Sequence, residues 1–200
     1  MTCLPEFLTE ALDRVAGSDS APDDTALAAV DLLDAERRLG ELSLVLEAFR
    51  EAMRNLGILE ESRSGQNVYD AWTKLSGHFL APLLDGHIFF DDSAELKETP
   101  RGFEALGARW QRTRSELEAF LTEQKSTDEA LGIAPVGMHI GYKFRSRLLL
   151  LDHRAERIKV AVDLIRRDLN ASVRLGLEEI SGYFGAEAQA GGRGKKRAEP

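Results

Sequence analysis

Apolar side chains recur at alternating intervals of three and four residues in four separate stretches of this chain. That period commits most of it to long helices packed side by side. The longest stripe runs Ala28, Leu32, Ala35, Leu39, Leu42, Leu46, Phe49, Met53, Leu56, and a second runs Leu148, Leu151, Ala155, Ile158, Val162, Ile165, Leu169. Phe103, Leu106, Trp110, Thr113, Leu117, Phe120 and Val68, Trp72, Leu75, Phe79 repeat the spacing. A mean period of about 3.5 residues keeps such a stripe facing a neighbouring helix instead of drifting round the axis. The expected fold is all-α: an elongated helical bundle of coiled-coil-like heptad helices.

The breaks between stripes set the organisation. Residues 1–24 read as a short amphipathic helix from Pro5 to about Val15, followed by a linker rich in Ser, Asp and Pro. Residues 25–125 form the main helical region. Within it Asp23 or Asp24 caps a helix from about Thr25 to Glu60, and a polar loop over Glu60 to Gln66 leads to a helix over 67–84. His87 to Phe90 and Glu95 to Thr99, separated by Asp91-Asp92-Ser93-Ala94, read as one small β-hairpin. Thr99-Pro100 opens a helix over 103–124, and Gly132 and Pro135 mark a break within 126–137. Residues 126–185 hold the long C-terminal helix, from about Met138 to Phe184. Residues 186–200, rich in Gly, Lys and Arg, read as a disordered basic tail.

Charge is divided unevenly along this frame. Residues 1–100 hold 8 Lys and Arg against 20 Asp and Glu, while residues 101–200 hold 18 against 14. Unlike halves complement each other across an antiparallel bundle or face different partners. Arg147, Arg154 and Asp168 fall beside the C-terminal stripe at flanking heptad positions, as do Asp152, Lys159 and Arg166. Flanking charges of both signs set pairing register between helices. On the same helix Arg145, Arg154, Arg157, Arg166, Arg167 and Arg174 are the candidates to contact an anion or nucleic acid, with pairing to a partner helix the favoured use.

The hairpin followed by Thr99-Pro100-Arg101-Gly102-Phe103-Glu104-Ala105-Leu106 resembles the closing half of a winged helix-turn-helix. There the phrase L-x-x-T-P-x-G-x-x-x-L leads from the wing to the next helix, and Leu96, Thr99, Pro100, Gly102 and Leu106 stand at the matching places. Tyr69-Asp70-Ala71-Trp72 resembles the recognition helix of molybdate-responsive and LysR-type regulators. The resemblance covers about residues 50–122 and implies a DNA-binding transcription regulator dimerised by long helices. The residues themselves disfavour DNA. Between Gly40 and Trp110 stand 7 basic and 12 acidic residues, and helix 67–84 offers Lys74 and Asn67 but no Arg. Phosphates and base edges call for the opposite balance.

Local chemistry is sparse. Cys3 has no second cysteine to pair with, and the glycines around Lys143 and Lys195 lack the strand and spacing of a phosphate loop. His87 lies near Asp85, Asp91 and Asp92, but no Glu-x-x-His pair of the kind that builds metal sites in helical bundles is present. No catalytic residue, metal or cofactor is expected. Met1 to Phe7 does not read as a signal peptide and no stretch is apolar enough to span a membrane, so the expectation is a cytoplasmic protein without membrane contact. The function expected is a non-enzymatic interaction or assembly protein, a homo-oligomer or the ligand of a protein partner. Its interaction seam is Leu148, Leu151, Ile158, Val162, Ile165 and Leu169, because the stripes exceed what one chain covers internally.

Overall fold

A computed structural model describes residues 2–16, 22–57, 65–75, 96–133 and 142–193. Among these are a strand β1 (Cys3–Pro5), helices α1 (Glu6–Ala16), α2 (Pro22–Asn55) and α3 (Gly65–Leu75), a strand β2 (Leu96–Glu98), and helices α4 (Glu104–Ile133) and α5 (Tyr142–Arg193). The fold is a helical bundle with one two-stranded antiparallel sheet.

The three long helices make the core, and the heptad stripes are what they bury. On α5, Leu148, Leu151, Ala155, Ile158, Val162, Ile165 and Leu169 are all 0% exposed. On α2, Leu32, Ala35, Leu39, Leu42, Leu46, Phe49 and Met53 are buried, and on α4 so are Leu106, Trp110, Thr113, Leu117 and Phe120. The side chain of Ala28 lies outside the described set. Ser43 on α2 reaches Asp163, whereas Arg50 further along reaches Asp152, so α2 and α5 run antiparallel. Arg109 with Asp168 and Glu116 with Arg154 fix α4 antiparallel to α5 in the same way. Phe49 and Phe120 close the triangle edge to face, centroids 5.5 Å apart and planes at 86°.

Two smaller units close the ends. Leu8, Ala11 and Leu12 of α1 are buried at helical spacing, and α1 folds back on α2 with Arg14 bonded to Asp31 at 3.2 Å. At the far end Val68, Ala71, Trp72 and Leu75 of α3 are buried, and Trp72 Nε1 donates to Asp128 Oδ1 of α4 at 2.8 Å.

Several boundaries differ from the sequence expectation for local reasons. α2 ends at Asn55 because Gly57 takes a left-handed φ of 58° and its N–H bonds the Arg54 carbonyl, a glycine stop. α4 runs on to Ile133, beyond the expected break near 126. Its stripe continues through buried Gln124 and Thr127, and Thr127 Oγ1 returns its bond to the Glu123 carbonyl at 2.7 Å. α5 extends to Arg193, so residues 186–193 of the expected tail are helical and 194–200 lie outside the described residues.

The strand expected at 95–99 is present at Leu96–Glu98, but its partner is the N-terminal Cys3–Pro5, with Leu4 opposite Lys97. The first strand of the expected hairpin, 87–90, and its acidic turn with Asp91 and Asp92 lie outside the described residues, as do residues 76–84 of the third expected helix. Thr99 extends the pairing by donating from both N and Oγ1 to the Thr2 carbonyl. The Pro100-Arg101-Gly102-Phe103 turn then redirects the chain into α4, with Phe103 N–H on the Pro100 carbonyl and Gly102 at φ 91° in the third position. The Thr-Pro-x-Gly phrase thus builds a strand-to-helix corner.

Candidate interaction surfaces

The charged residues beside the α5 stripe form two ladders, one toward each neighbour. On the α2 side Asp152 accepts from Arg50 Nε at 3.1 Å, Lys159 lies 3.8 Å from Glu47, and Arg166 donates through Nε and Nη2 to Glu36 Oε1 at 2.9 and 2.7 Å. On the α4 side Arg147 lies 3.9 Å from Glu123, Arg154 bonds Glu116 at 3.1 Å, and Asp168 holds Arg109. The six flanking positions divide three to each neighbouring helix. Asp163, between Lys159 and Arg166 on the α2 side, accepts from Ser43 at 2.8 Å and lies 3.0 Å from Lys159 and 3.5 Å from Arg166. Burial acts to raise its carboxyl, but hydrogen bonds from Lys159 and Ser43 and the nearby Arg166 charge outweigh that and hold it below the usual carboxylate range.

This arrangement decides where the candidate site residues stand. Leu148, Leu151, Ile158, Val162, Ile165 and Leu169 form a seam, but its partners are α2 and α4 of the same chain. The premise that the stripes outrun internal cover is therefore corrected, since α5 lies between two helices that cover it. Of the candidate anion contacts, Arg154 and Arg157 converge on Glu116, at 3.1 and 2.6 Å, and Arg166 is clamped by Glu36. Arg145 is half-buried and engaged. Arg167 is 71% exposed, with Asp168 at 3.8 Å, and Arg174 is exposed. The structure does not gather the six arginines into one patch: Arg154 and Arg157 line a groove against α4, whereas Arg166, Arg167 and Arg174 line another together with Glu36 and Asp163.

Other residues singled out by sequence fall as follows. Trp72 and Trp110 are buried in the core, and His153 is exposed on α5. His78, His87 and His139 lie outside the described residues. Among the described residues no group of three His, Cys, Asp or Glu side chains is placed to hold a metal ion. No described helix is long and apolar enough to cross a membrane.

What the sequence reading missed is apolar surface on the opposite sides of the same helices. Leu44 is 71% exposed and Val160 54%, and Leu27, Val30 and Leu33 on α2 and Leu149 and Leu150 on α5 are exposed too. For Val30, Leu44 and Val160 the signal was a second column seven residues apart: Val30, Arg37, Leu44, Glu51 on α2 and His153, Val160, Arg167 on α5. Each lies about half a turn from the buried stripe. A groove of about 870 Å³ also runs along the outside of α4 and α5, where Ala119, Val160, Ala161 and Leu164 lie between Arg112 and Arg157. Comparison of the chain with protein-family models, curated proteins and solved structures gave no match.

Proposed function

We propose that this chain is a non-enzymatic helical interaction protein that self-associates or binds a protein partner through the outer faces of its long helices. The observation that carries the reading is the exposure of large aliphatic side chains, Leu44 above all, on helices whose core stripes are already closed. Apolar side chains aligned on one helix face lose free energy in water that a second helical surface recovers, at roughly 25 cal/mol per Å² removed from solvent. The ionisable groups support the same reading, because those beside the core are spent on interhelical pairs that hold the scaffold rigid.

The test compares the full chain with a Leu44→Glu/Val160→Glu variant. Sedimentation of the purified proteins reports self-association, and immobilised protein exposed to native extract reports partners. A complex formed by the wild type and lost by the equally folded variant is the expected result. A wild type that stays monomeric and retains no protein beyond what the variant retains overturns the proposal.

A further inference from the structure

The groove outside α4 and α5 is positively charged in a chain whose formal charge is −8. Arg109, Arg112, Arg154 and Arg157 line it against Glu116 and Glu156. Arg109 is held by Asp168, and Glu156 lies 3.3 Å from Arg50 on the α2 side. What remains is Glu116 among three arginines, and it cannot serve them all. Its Oε2 accepts from Arg154 Nη1 at 3.1 Å and its Oε1 from Arg157 Nη2 at 2.6 Å, while Arg154 Nε is buried with no acceptor among the described residues. Arg112, one turn before Glu116, is exposed and makes no ion pair among the described residues, and the Arg157 side chain is 69% exposed.

Between these cations lies aliphatic surface. Ala119 on α4 and Ala161 on α5 are short, which leaves the valley between the helices open, and Val160 and Leu164 stand along its α5 side. The lining runs from Arg109 to Ala119 on one helix and from Arg154 to Leu164 on the other, a length of about 15 Å or roughly three helical turns. An apolar floor of that length, with arginines in excess along its rim, is complementary to a helix that carries aliphatic residues on one face and carboxylates beside them.

Resting on the reading above, we infer that the α4–α5 groove receives an acidic amphipathic helix of a partner protein. Its aliphatic residues, spaced three and four apart, cover Ala119, Val160, Ala161 and Leu164, and an Asp or Glu on its flank meets Arg112 and Arg157. That carboxylate takes Arg157 over from Glu116, which is then free to close on Arg154 and supply the acceptor that Nε lacks. The guest helix thus completes a set of pairs that the chain alone leaves one carboxylate short. The aliphatic cover holds the partner, and the arginines select its charge and orientation.

The experiment selects binders from a library of displayed helical peptides about four turns long with randomised faces, using the full chain as bait, and measures the leading peptide by fluorescence anisotropy. Asp and Glu are enriched beside aliphatic residues at three- and four-residue spacing. Arg112→Gln/Arg157→Gln weakens the selected peptide by about tenfold or more, whereas Arg167→Gln, the loss of an exposed charge outside this groove, leaves its affinity unchanged. Glu116→Gln tightens binding, because a neutral amide competes less for Arg157. Circular dichroism confirms that each variant folds. A selection without acidic enrichment overturns the inference, as does a double variant that binds like the wild type, an Arg167→Gln as damaging as the double variant, or a Glu116→Gln that binds no more tightly. Self-association of the wild type that the double variant loses makes the occupant a second copy and overturns the separate partner. In each of those cases a complex lost in Leu44→Glu/Val160→Glu leaves the interaction reading standing.

Discussion

The guanidinium of Arg166 lies across Gly40, where a Cβ would stand 3.0 Å from its Nη2 and 3.2 Å from its Cζ. Glu36, one turn before Gly40, holds the guanidinium in place by accepting from Nε and Nη2. The absent side chain on α2 is what lets a cation from α5 lie flat against its backbone. Glycine in a helix interior costs about 1 kcal/mol against alanine. Gly40→Ala should therefore stabilise the chain by less than that amount, since the guanidinium must shift, and by the full amount in an Arg166→Ala background. Urea unfolding of the four proteins of this cycle measures the difference, and equal gains in both backgrounds would show that Arg166 exerts no pressure on the site.

Gly107 answers differently. A Cβ there meets Thr99, whose Cγ2 is 2.9 Å and Cβ 3.1 Å away, and Thr99 is tied by its hydroxyl to the Thr2 carbonyl. A short side chain anchored to a strand cannot retreat as an arginine tip can. Gly107→Ala is expected to lower stability by about 1–3 kcal/mol despite its better helix propensity. Hydrogen exchange should show the loss concentrated at β1 and β2, and unchanged protection there would contradict the account.

Ile158 sits at the middle of the α5 stripe with 0% exposure. Ile158→Asp places an uncompensated carboxylate between α2 and α4 and should cost about 3–5 kcal/mol or prevent folding altogether. Ile158→Val, which keeps the shape, should cost about 0.5–1.5 kcal/mol. Thermal melts of the pair decide it: similar melting temperatures would mean that the seam is not the core.

Acid should loosen the bundle through groups whose folded values are depressed. Asp163 is held low by the bonds named above, Asp34 chiefly by its hydrogen bond from Arg37, and Glu104 by backbone N–H groups at the start of α4. For such groups the unfolded chain takes up protons first as pH falls. Their contribution is complete above the ordinary carboxylate range, near pH 4, and is lost as pH drops through the lower folded values. Lys97 works at the other end. Its hydrogen bonds to Glu6 and then Glu10 push it up to about 12, so its contribution holds below the ordinary 10.5 and fades as pH rises through about 12. Unfolding midpoints measured from pH 2 to 7 should fall at the acid end, less steeply in Asp163→Asn, and an unaltered slope in that variant would remove Asp163 from the explanation.

The core was legible because period and burial coincide. Every α5 stripe residue read from spacing is fully buried, and the flanking charges Asp152, Lys159 and Arg166 on one side and Arg147, Arg154 and Asp168 on the other set register as heptad flanks do. The sheet was only half legible, because Cys3-Leu4-Pro5 is too short to show an alternation and its partner lies over ninety residues away. The end of α4 was hidden by polarity: Ser126 and Thr127 look like the start of a loop until Arg147 donates to Ser126 Oγ at 3.2 Å and Thr127 is buried. The outer column on α2 escaped notice because two of its four members are charged, which reads as ordinary solvated surface.

The central position of α5 also governs how the chain meets water while it is being made. Ser43 and its partner Asp163 are 120 residues apart in sequence. At about 5–20 residues per second, the α2 stripe waits roughly 6–24 s for the helix that covers it. During that interval Leu39, Leu42, Leu46 and Phe49 are a bare apolar ribbon on the nascent chain, while the α4 stripe follows without its cover. Synthesis slowed between residues 133 and 173 would prolong that exposure, so aggregation should respond more to translation rate across α5 than across any other helix.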